Sequence, residues 1–164
     1  MSLTGEVTKF QKRRAGETDS APRTTEFLTI MIGQQMFGIP VMQVQDVLRQ
    51  QNVTRVPLAP AEVAGALNLR GRIVTAINVR CRLGLEDLPA GTKTMAVVVE
   101  HENELYSLII DKVGDVLSLH NRDFEQIPPT MDDTWREIAT GIYRLDKQLL
   151  IVADIARLLR HSVH

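Results

Sequence analysis

Two short apolar runs on either side of Arg70-Gly71 constrain the fold of this chain more than any other stretch. They read VAGALNL and IVTAINV and occupy positions 63–69 and 73–79. In each run the two faces alternate with every residue, which is typical of a β-strand and not of a helix. Gly71 tolerates the positive φ that a two-residue turn requires. The stretch therefore predicts a β-hairpin.

Both faces of this hairpin carry apolar side chains, so we expect both to be covered. In the first strand, one face is predicted to hold Val63, Gly65, Leu67 and Leu69. Gly65 leaves a gap in that face, where another backbone or side chain can approach closely. Arg70 follows directly and is expected at the rim of the surface.

Composition indicates a globular protein with an aliphatic core. Of the 164 residues, 44% are hydrophobic and 4% are aromatic, which suits one domain or two small subdomains and disfavours base-stacking surfaces. The formal net charge of -1 gives no general attraction to nucleic acid or to anionic membranes. The single cysteine, Cys81, excludes an intramolecular disulfide and any Cys-x-x-Cys motif.

The same features favour a cytoplasmic protein. One free cysteine fits a reducing compartment, and the sequence shows neither a hydrophobic leader nor an apolar run of membrane-spanning length. We expect residues 1–24 to form a flexible N-terminal tail, residues 25–160 a single domain of two β-barrel subdomains, and residues 161–164 a C-terminal tail.

Further alternating runs predict many short strands. Besides the central hairpin, strands are expected over 27–32, 36–39, 52–56, 94–100, 104–110, 113–119, 139–145 and 148–152. Residues 121–136 are polar and contain Pro128-Pro129, which rules out a continuous element there. Closely spaced strands of this kind favour small β-barrels over a parallel α/β sheet.

Short helices are predicted at three places. After Pro40, apolar residues recur at Val41, Val44, Val47 and Leu48, which predicts a short early helix. One helical turn is expected over 80–85, ended by Gly84. Asp154 is placed to cap a final helix.

In this order, the motifs resemble those of the CheW family, the adaptors of bacterial chemosensory arrays. The stretch GALNLRGRIV at 65–74 is similar to the family signature G-V-x-N-L-R-G-x-I-V. Further matches are VQDV at 44–47, the Pro57–Pro60 segment, LIIDKV at 108–113 and IVADI at 151–155. The resemblance extends from residue 26 to about residue 159.

The resemblance implies a mainly β fold of two intertwined five-stranded SH3-like β-barrel subdomains, with a short early helix and a C-terminal helix. It also implies a non-catalytic adaptor, without cofactor or metal, that couples the cytoplasmic tip of chemoreceptors to a CheA-type histidine kinase. Such a protein would be cytoplasmic and associated with membrane-bound receptor arrays. It would bind neither nucleic acid nor the bilayer directly, and its kinase-facing residues cannot be placed from motifs.

Receptor-binding residues carry over from the matching motifs. They are Arg70, Val44, Asp46, Gly65, Asn68, Ser107 and Val116. A guanidinium at the rim of a groove could bind acidic or amide groups of a receptor helix. Asn68 suits the satisfaction of local backbone groups better than a partner contact, and Ser107 and Val116 suit ordinary strand packing better. Val44 is equally suited to packing and to a receptor contact.

This chain departs from the family pattern at four positions. Thr75 replaces a common Pro, Asn78 a common Asp, Asp46 a common Glu, and Ser107 a Gly. None of them interrupts the Asn68–Gly71 part of the signature. Thr75 also restores a backbone N–H that can pair in a sheet.

Two other classes of function have less support in the sequence. A small β-barrel could bind nucleic acid through a cluster of arginines at Arg70, Arg72, Arg80 and Arg82. An enzyme would need a motif that is absent here, such as G-x-S-x-G or H-E-x-x-H. Cys81 between two arginines, the pair His161 and His164, and Asp132-Asp133 are the remaining reactive or ligand-type groups.

Overall fold

Ten β-strands form two five-stranded sheets in the computed structural model, which describes residues 23–49 and 52–160. The first sheet contains β1 (Thr24–Ile32), β2 (Gln35–Pro40), β8 (Lys112–His120), β9 (Ala139–Arg144) and β10 (Leu149–Ala153). The second contains β3 (Val44–Leu48), β4 (Val63–Leu69), β5 (Arg72–Asn78), β6 (Met95–His101) and β7 (Glu104–Ile110).

The predicted tails lie almost entirely outside the described residues. Residues 1–22 of the N-terminal tail and all four residues of the C-terminal tail lie outside the described residues. Arg23 and Thr24 are the exceptions: the backbone oxygen of Arg23 accepts a hydrogen bond from the N–H of Asn121, and Thr24 is the first residue of β1 and pairs with His120. The first strand therefore begins slightly earlier than the sequence predicts.

The chain passes from the first sheet into the second and then returns. The strand orders are β8-β1-β2-β10-β9 and β3-β6-β7-β5-β4. Neighbouring strands are antiparallel except for β2 with β10 and β5 with β7, which are parallel. The prediction of a mainly β fold with two intertwined five-stranded subdomains is confirmed.

Each sheet encloses its own apolar cluster, and a third cluster lies between the sheets. Leu67, Val74 and Val98 belong to the cluster of the second sheet, whereas Phe27 and Leu150 belong to that of the first. The largest cluster, which we call the shared core, is built from both sheets. Alternation in the strands explains this arrangement, because successive side chains point to opposite faces.

Helical structure is limited to short segments within the described residues. These are α1 (Val79–Arg82), α2 (Asp133–Ile138), α3 (Ile155–Leu158) and two 3-10 turns at Val41–Gln43 and Asn121–Asp123. As predicted, Gly84 follows the first helical turn with a φ of 76°, and the Asp154 carboxylate accepts a hydrogen bond from the N–H of Arg157. The sequence pattern does not predict α2, although Asp132 caps it through the N–H of Thr134.

The early helix is reduced to the 3-10 turn at Val41–Gln43, and its predicted extension through Leu48 is wrong. The chain becomes extended after this turn, and Val44–Leu48 forms β3. This strand pairs with β6, placing Val44 opposite Val99 and Leu48 opposite Ala96. Pairing with a neighbouring strand outweighs the helical spacing, because β-branched valines suit a sheet better than a short isolated helix.

The predicted strand over 52–56 is reduced to a single bridge. Thr54 exchanges two backbone hydrogen bonds with Ala66 of β4, each 2.8 Å long. The segment thus runs along the outer edge of β4 without continuing as a strand.

Candidate partner-binding site

The turn of the central hairpin has the two-residue geometry that the sequence predicts. Arg70 and Gly71 both have positive φ, at 51° and 86°, as a type I′ turn requires. The Asn68 side-chain oxygen accepts a hydrogen bond from the N–H of Gly71 at 2.9 Å. Asn68 therefore stabilises the turn that presents Arg70, in agreement with the local role considered from the sequence.

Arg70 forms an ion pair with Asp46 across the open side of the second sheet. Its Nη1 lies 2.7 Å from Oδ2 of Asp46, and the two side chains are 74% and 24% exposed. The other carboxylate oxygen of Asp46 accepts the N–H of Val47 at 2.8 Å. The hydrogen bond from Arg70, followed by that from Val47, lowers the pKa of Asp46 below its ordinary value.

This ion pair connects the two edges of the second sheet. Asp46 belongs to the edge strand β3, and Arg70 follows the other edge strand, β4. Among the residues that the structure describes, Asp46 is the one hydrogen-bond partner of the Arg70 guanidinium. Most of its N–H donors therefore have no partner in the described part of the chain.

Gly65 allows the Thr54 backbone to pack closely against the hairpin that carries Arg70. Its φ is 152°, and a Cβ at this position would lie 2.2 Å from the backbone oxygen of Thr54. Only glycine lets the Thr54 backbone approach closely enough to pair with β4. Gly65 is buried, so it positions the hairpin and is not itself a contact surface.

The predicted faces of β4 are wrong, because a bulge at Gly65 interrupts the alternation. Val63 pairs with Ile77, but the register shifts before Gly65, which pairs with Ala76. As a result, Val63 packs against the shared core, whereas Leu67 and Leu69 pack in the cluster of the second sheet. Uninterrupted alternation through residue 65, as the sequence suggests, would place all of them on one face.

Two apolar side chains of the second sheet are exposed close in sequence to Asp46 and Arg70. Ile73 of β5 pairs with Asn68 and is 71% exposed, while Val47 of β3 is 37% exposed. The sequence pattern indicates neither as a surface residue. Leu67 and Val74 are buried in the cluster of the second sheet, so the exposed large apolar side chain of the hairpin is Ile73.

The other three predicted residues are not grouped with Arg70. Val44 and Val116 are partly buried and pack against the shared core from β3 and β8, in different sheets. Ser107 of β7 is fully buried. The structure therefore brings together Arg70, Asp46 and Asn68, with Gly65 as support, and assigns Ser107 to the interior.

The four arginines considered for nucleic-acid binding do not form one basic surface. Arg80 donates to both carboxylate oxygens of Asp111, at 2.9 and 2.7 Å. Arg82 is 6% exposed and donates to the backbone oxygens of Arg157 and Leu158, each at 2.8 Å. Both guanidiniums are occupied within the chain, so of these four arginines only Arg70 and Arg72 are exposed.

Cys81 lacks the surroundings of a reactive thiol. Its neighbours Arg80 and Arg82 direct their guanidiniums to other partners, and burial together with Glu62 and Asp87 raises the pKa of the thiol. No group of three or more metal-ligating side chains is found within residues 23–49 and 52–160. His161 and His164 lie outside the described residues.

Comparison with known proteins agrees with this fold. The family model for the CheW-like domain matches residues 26–163. The chemotaxis protein CheW of Klebsiella aerogenes is 31% identical over 145 residues, covering 88% of this chain and 85% of that protein. CheW of Helicobacter pylori is 24% identical over 155 residues, covering 92% and 93%.

Similarity extends to a further relative and to a solved structure. The protein PilI of Pseudomonas aeruginosa is 27% identical over 126 residues, covering 76% of this chain and 70% of that protein. The crystal structure of the scaffolding protein TtCheW from Thermoanaerobacter tengcongensis superposes with a TM-score of 0.74 at 23% identity, covering 82% of this chain and 92% of that one.

Within the described part of the chain, no helix is long and apolar enough to cross a membrane. The fold, the hairpin motif and the family match over residues 26–163 agree with one another. The chain belongs to the CheW-like family and is a non-catalytic chemotaxis scaffold.

Proposed function

We propose that this protein couples the cytoplasmic tip of chemoreceptors to a CheA-type histidine kinase, as a cytoplasmic component of membrane-bound receptor arrays. Membership of the CheW-like family supports the adaptor role. The exposed Asp46–Arg70 ion pair, presented on a turn that Asn68 stabilises, supports a protein-binding surface at this place. That ion pair is the observation on which the proposed receptor contact depends.

The receptor contact combines charge and apolar area. Arg70 keeps free N–H donors for a carboxylate or amide of a receptor helix, and Asp46 holds the guanidinium at the edge of the sheet. Exposed Val47 and Ile73 supply the apolar contact. An amphipathic helix can satisfy both requirements, because its apolar face can cover these side chains while polar residues at the border of that face reach Arg70.

The kinase contact is proposed on a separate surface, by packing of barrel against barrel. A protein that holds two partners at once raises the concentration of each near the other. Modest affinities at each surface are then sufficient for coupling. A change in the receptor can affect the kinase only if the two states of the receptor make different contacts with the adaptor.

Capture of two partners by one immobilised protein tests this proposal. We expect Arg70→Ala to weaken capture of a receptor cytoplasmic fragment and to retain capture of a CheA-type kinase. Arg72→Ala is the matched control, because Arg72 is adjacent, exposed and without an ion pair among the described residues. Unchanged receptor capture by the Arg70 variant would exclude this surface, and equal loss of both partners would indicate misfolding.

A further inference from the structure

One methionine of the described residues is exposed, and the others are shielded. Met42 is 91% exposed. The other methionines in this part of the chain are partly buried, and they are Met31, Met36, Met95 and Met131. All of these except Met31 pack against an apolar cluster. Met42 is therefore the thioether that a reagent in solution can reach most easily.

The exposure of Met42 is fixed by the backbone around it. Met42 is the middle residue of the 3-10 turn at Val41–Gln43, which joins β2 of the first sheet to β3 of the second. The N–H of Val44 donates to the backbone oxygen of Val41 and closes this turn. Both valines pack against the shared core. Because the residues around Met42 are anchored in this way, the turn holds its side chain in solvent.

The cysteine of this chain competes poorly for an oxidant. Oxidation of cysteine proceeds through the thiolate. Cys81 is partly buried, and this burial, followed by the charges of Glu62 and Asp87, raises the pKa of its thiol. The thiolate fraction at neutral pH is consequently small. A thioether needs no deprotonation, so exposure is what distinguishes one methionine from another.

We propose that Met42 is a reversible oxidation site that makes this adaptor sensitive to peroxides. The thioether sulfur bonds to one oxygen of hydrogen peroxide as the O–O bond breaks, so the sulfur loses two electrons and the peroxide is reduced to water. Methionine sulfoxide reductases reverse the change. In that step the sulfoxide oxygen leaves as water, and two thiols are oxidised to a disulfide.

Oxidation at this position changes the polarity of the surface at the start of β3. Met42 lies four residues before Asp46 and five before the exposed Val47. A sulfoxide is polar, whereas the thioether is apolar. We expect it to weaken a receptor contact that includes these residues, because burying a polar group costs free energy where burying an apolar one gains it. This consequence rests on the proposed receptor contact, whereas the oxidation itself does not.

Graded oxidation of the full chain with hydrogen peroxide tests the site. We expect mass spectrometry of the digested protein to show sulfoxide forming at Met42 at least about fivefold faster than at the four shielded methionines. Treatment with methionine sulfoxide reductases should restore the thioether. The melting temperature should change little, because the side chain is exposed. Equal rates at all five methionines, or oxidation of Cys81 before Met42, would overturn the proposal.

Capture of a receptor cytoplasmic fragment measures the consequence for binding. We expect oxidation to weaken capture by at least about threefold and reductase treatment to restore it. Met42→Leu keeps an apolar side chain without sulfur and should be insensitive to peroxide, whereas the matched control Met131→Leu should stay sensitive. Equal weakening of the Met42→Leu variant would overturn the role of Met42. Failure of the untreated protein to capture the fragment would contradict the proposed function, and the oxidation rates would still decide the site.

Discussion

Two of the arginine–aspartate ion pairs in the described part of the chain have contacts of 2.7 Å, and their exposure separates their roles. The Arg70 and Asp46 side chains are 74% and 24% exposed, whereas those of Arg80 and Asp111 are 17% and 16% exposed. An exposed ion pair adds little to stability but can be reached by a partner. A shielded pair with several hydrogen bonds stabilises the fold. We therefore assign the first pair to the proposed binding surface and the second to the scaffold.

Arg70→Ala should change stability only slightly. Since solvent screens the ion pair, we expect the free energy of unfolding to fall by less than about 1 kcal/mol in urea titration. A loss several times larger would show that the pair is needed to close the sheet, and the capture experiment would then require a milder variant.

Asp111→Asn should alter the acid sensitivity of the fold. Hydrogen bonds from Arg80, and then from the Gly33 N–H, lower the pKa of Asp111 in the folded state. The carboxylate therefore contributes stability above its unfolded pKa of about 3.9, and this contribution is lost as pH falls through the folded pKa. We expect Asp111→Asn to be less stable at pH 7, by about 2 kcal/mol.

The difference between Asp111→Asn and the unaltered protein should shrink below pH 4. Urea titrations at pH 7, 4 and 3 measure it. A constant difference across this range would show that Asp111 contributes through packing or neutral hydrogen bonds and not through its charge.

At the level of elements, the hairpin can be predicted from sequence and its surroundings cannot. Alternation and Gly71 specify β4, β5 and the turn from neighbouring residues alone. The strand β3 has the spacing of a helix, and its pairing with β6 joins residues about fifty positions apart, a contact that local spacing does not reveal. Gly65 signals a close approach, but the bulge and its partner Thr54 depend on tertiary structure.

Gly65→Ala should destabilise the protein by more than about 1 kcal/mol. The added Cβ would collide with the Thr54 backbone and separate it from β4. Gly84→Ala is the control, because Gly84 also has a positive φ, 76°, but no atom lies within 4 Å of its Cβ position. Comparing the thermal unfolding of the two variants separates the destabilisation caused by the Cβ collision from that caused by the positive φ. Equal losses would mean that φ alone makes glycine necessary at position 65.

At the scale of the whole molecule, the two sheets are joined by a common interior. Arg82 adds a polar connection from α1 to the backbone of the last helix. Because so much apolar surface is common to both sheets, neither is expected to remain folded without the other. The shared core takes Leu28, Ile30 and Phe37 from the first sheet and Ile77, Val97 and Leu108 from the second.

Ile77→Ala should therefore destabilise both sheets together. Ile77 is fully buried in the shared core, and its truncation is expected to cost about 2–5 kcal/mol. Trp135, which packs against Phe37 of the first sheet, reports on that sheet by fluorescence, while circular dichroism reports on both. We expect coincident transitions in urea. Separate transitions would show that the sheets unfold independently.

The proposed binding site can be predicted only partly from sequence, because it too depends on contacts between distant segments. The family motif indicates Arg70, Asp46 and Asn68, but their ion pair and turn contact depend on how β3 lies beside the hairpin. Ile73 is exposed because it belongs to none of the apolar clusters, and Ser107 is buried because it lies in the central strand of its sheet. These properties are set by packing between segments, which a local pattern does not contain.

Backbone amide shifts of the isotopically labelled protein, recorded during titration with a receptor cytoplasmic fragment, test the proposed receptor contact most directly. The largest changes should occur at Asp46, Val47, Asn68, Arg70 and Ile73, with none at Lys147 beside the first sheet. Changes concentrated on other residues, with the amides around Arg70 unaffected, would contradict the assignment of this surface to the receptor.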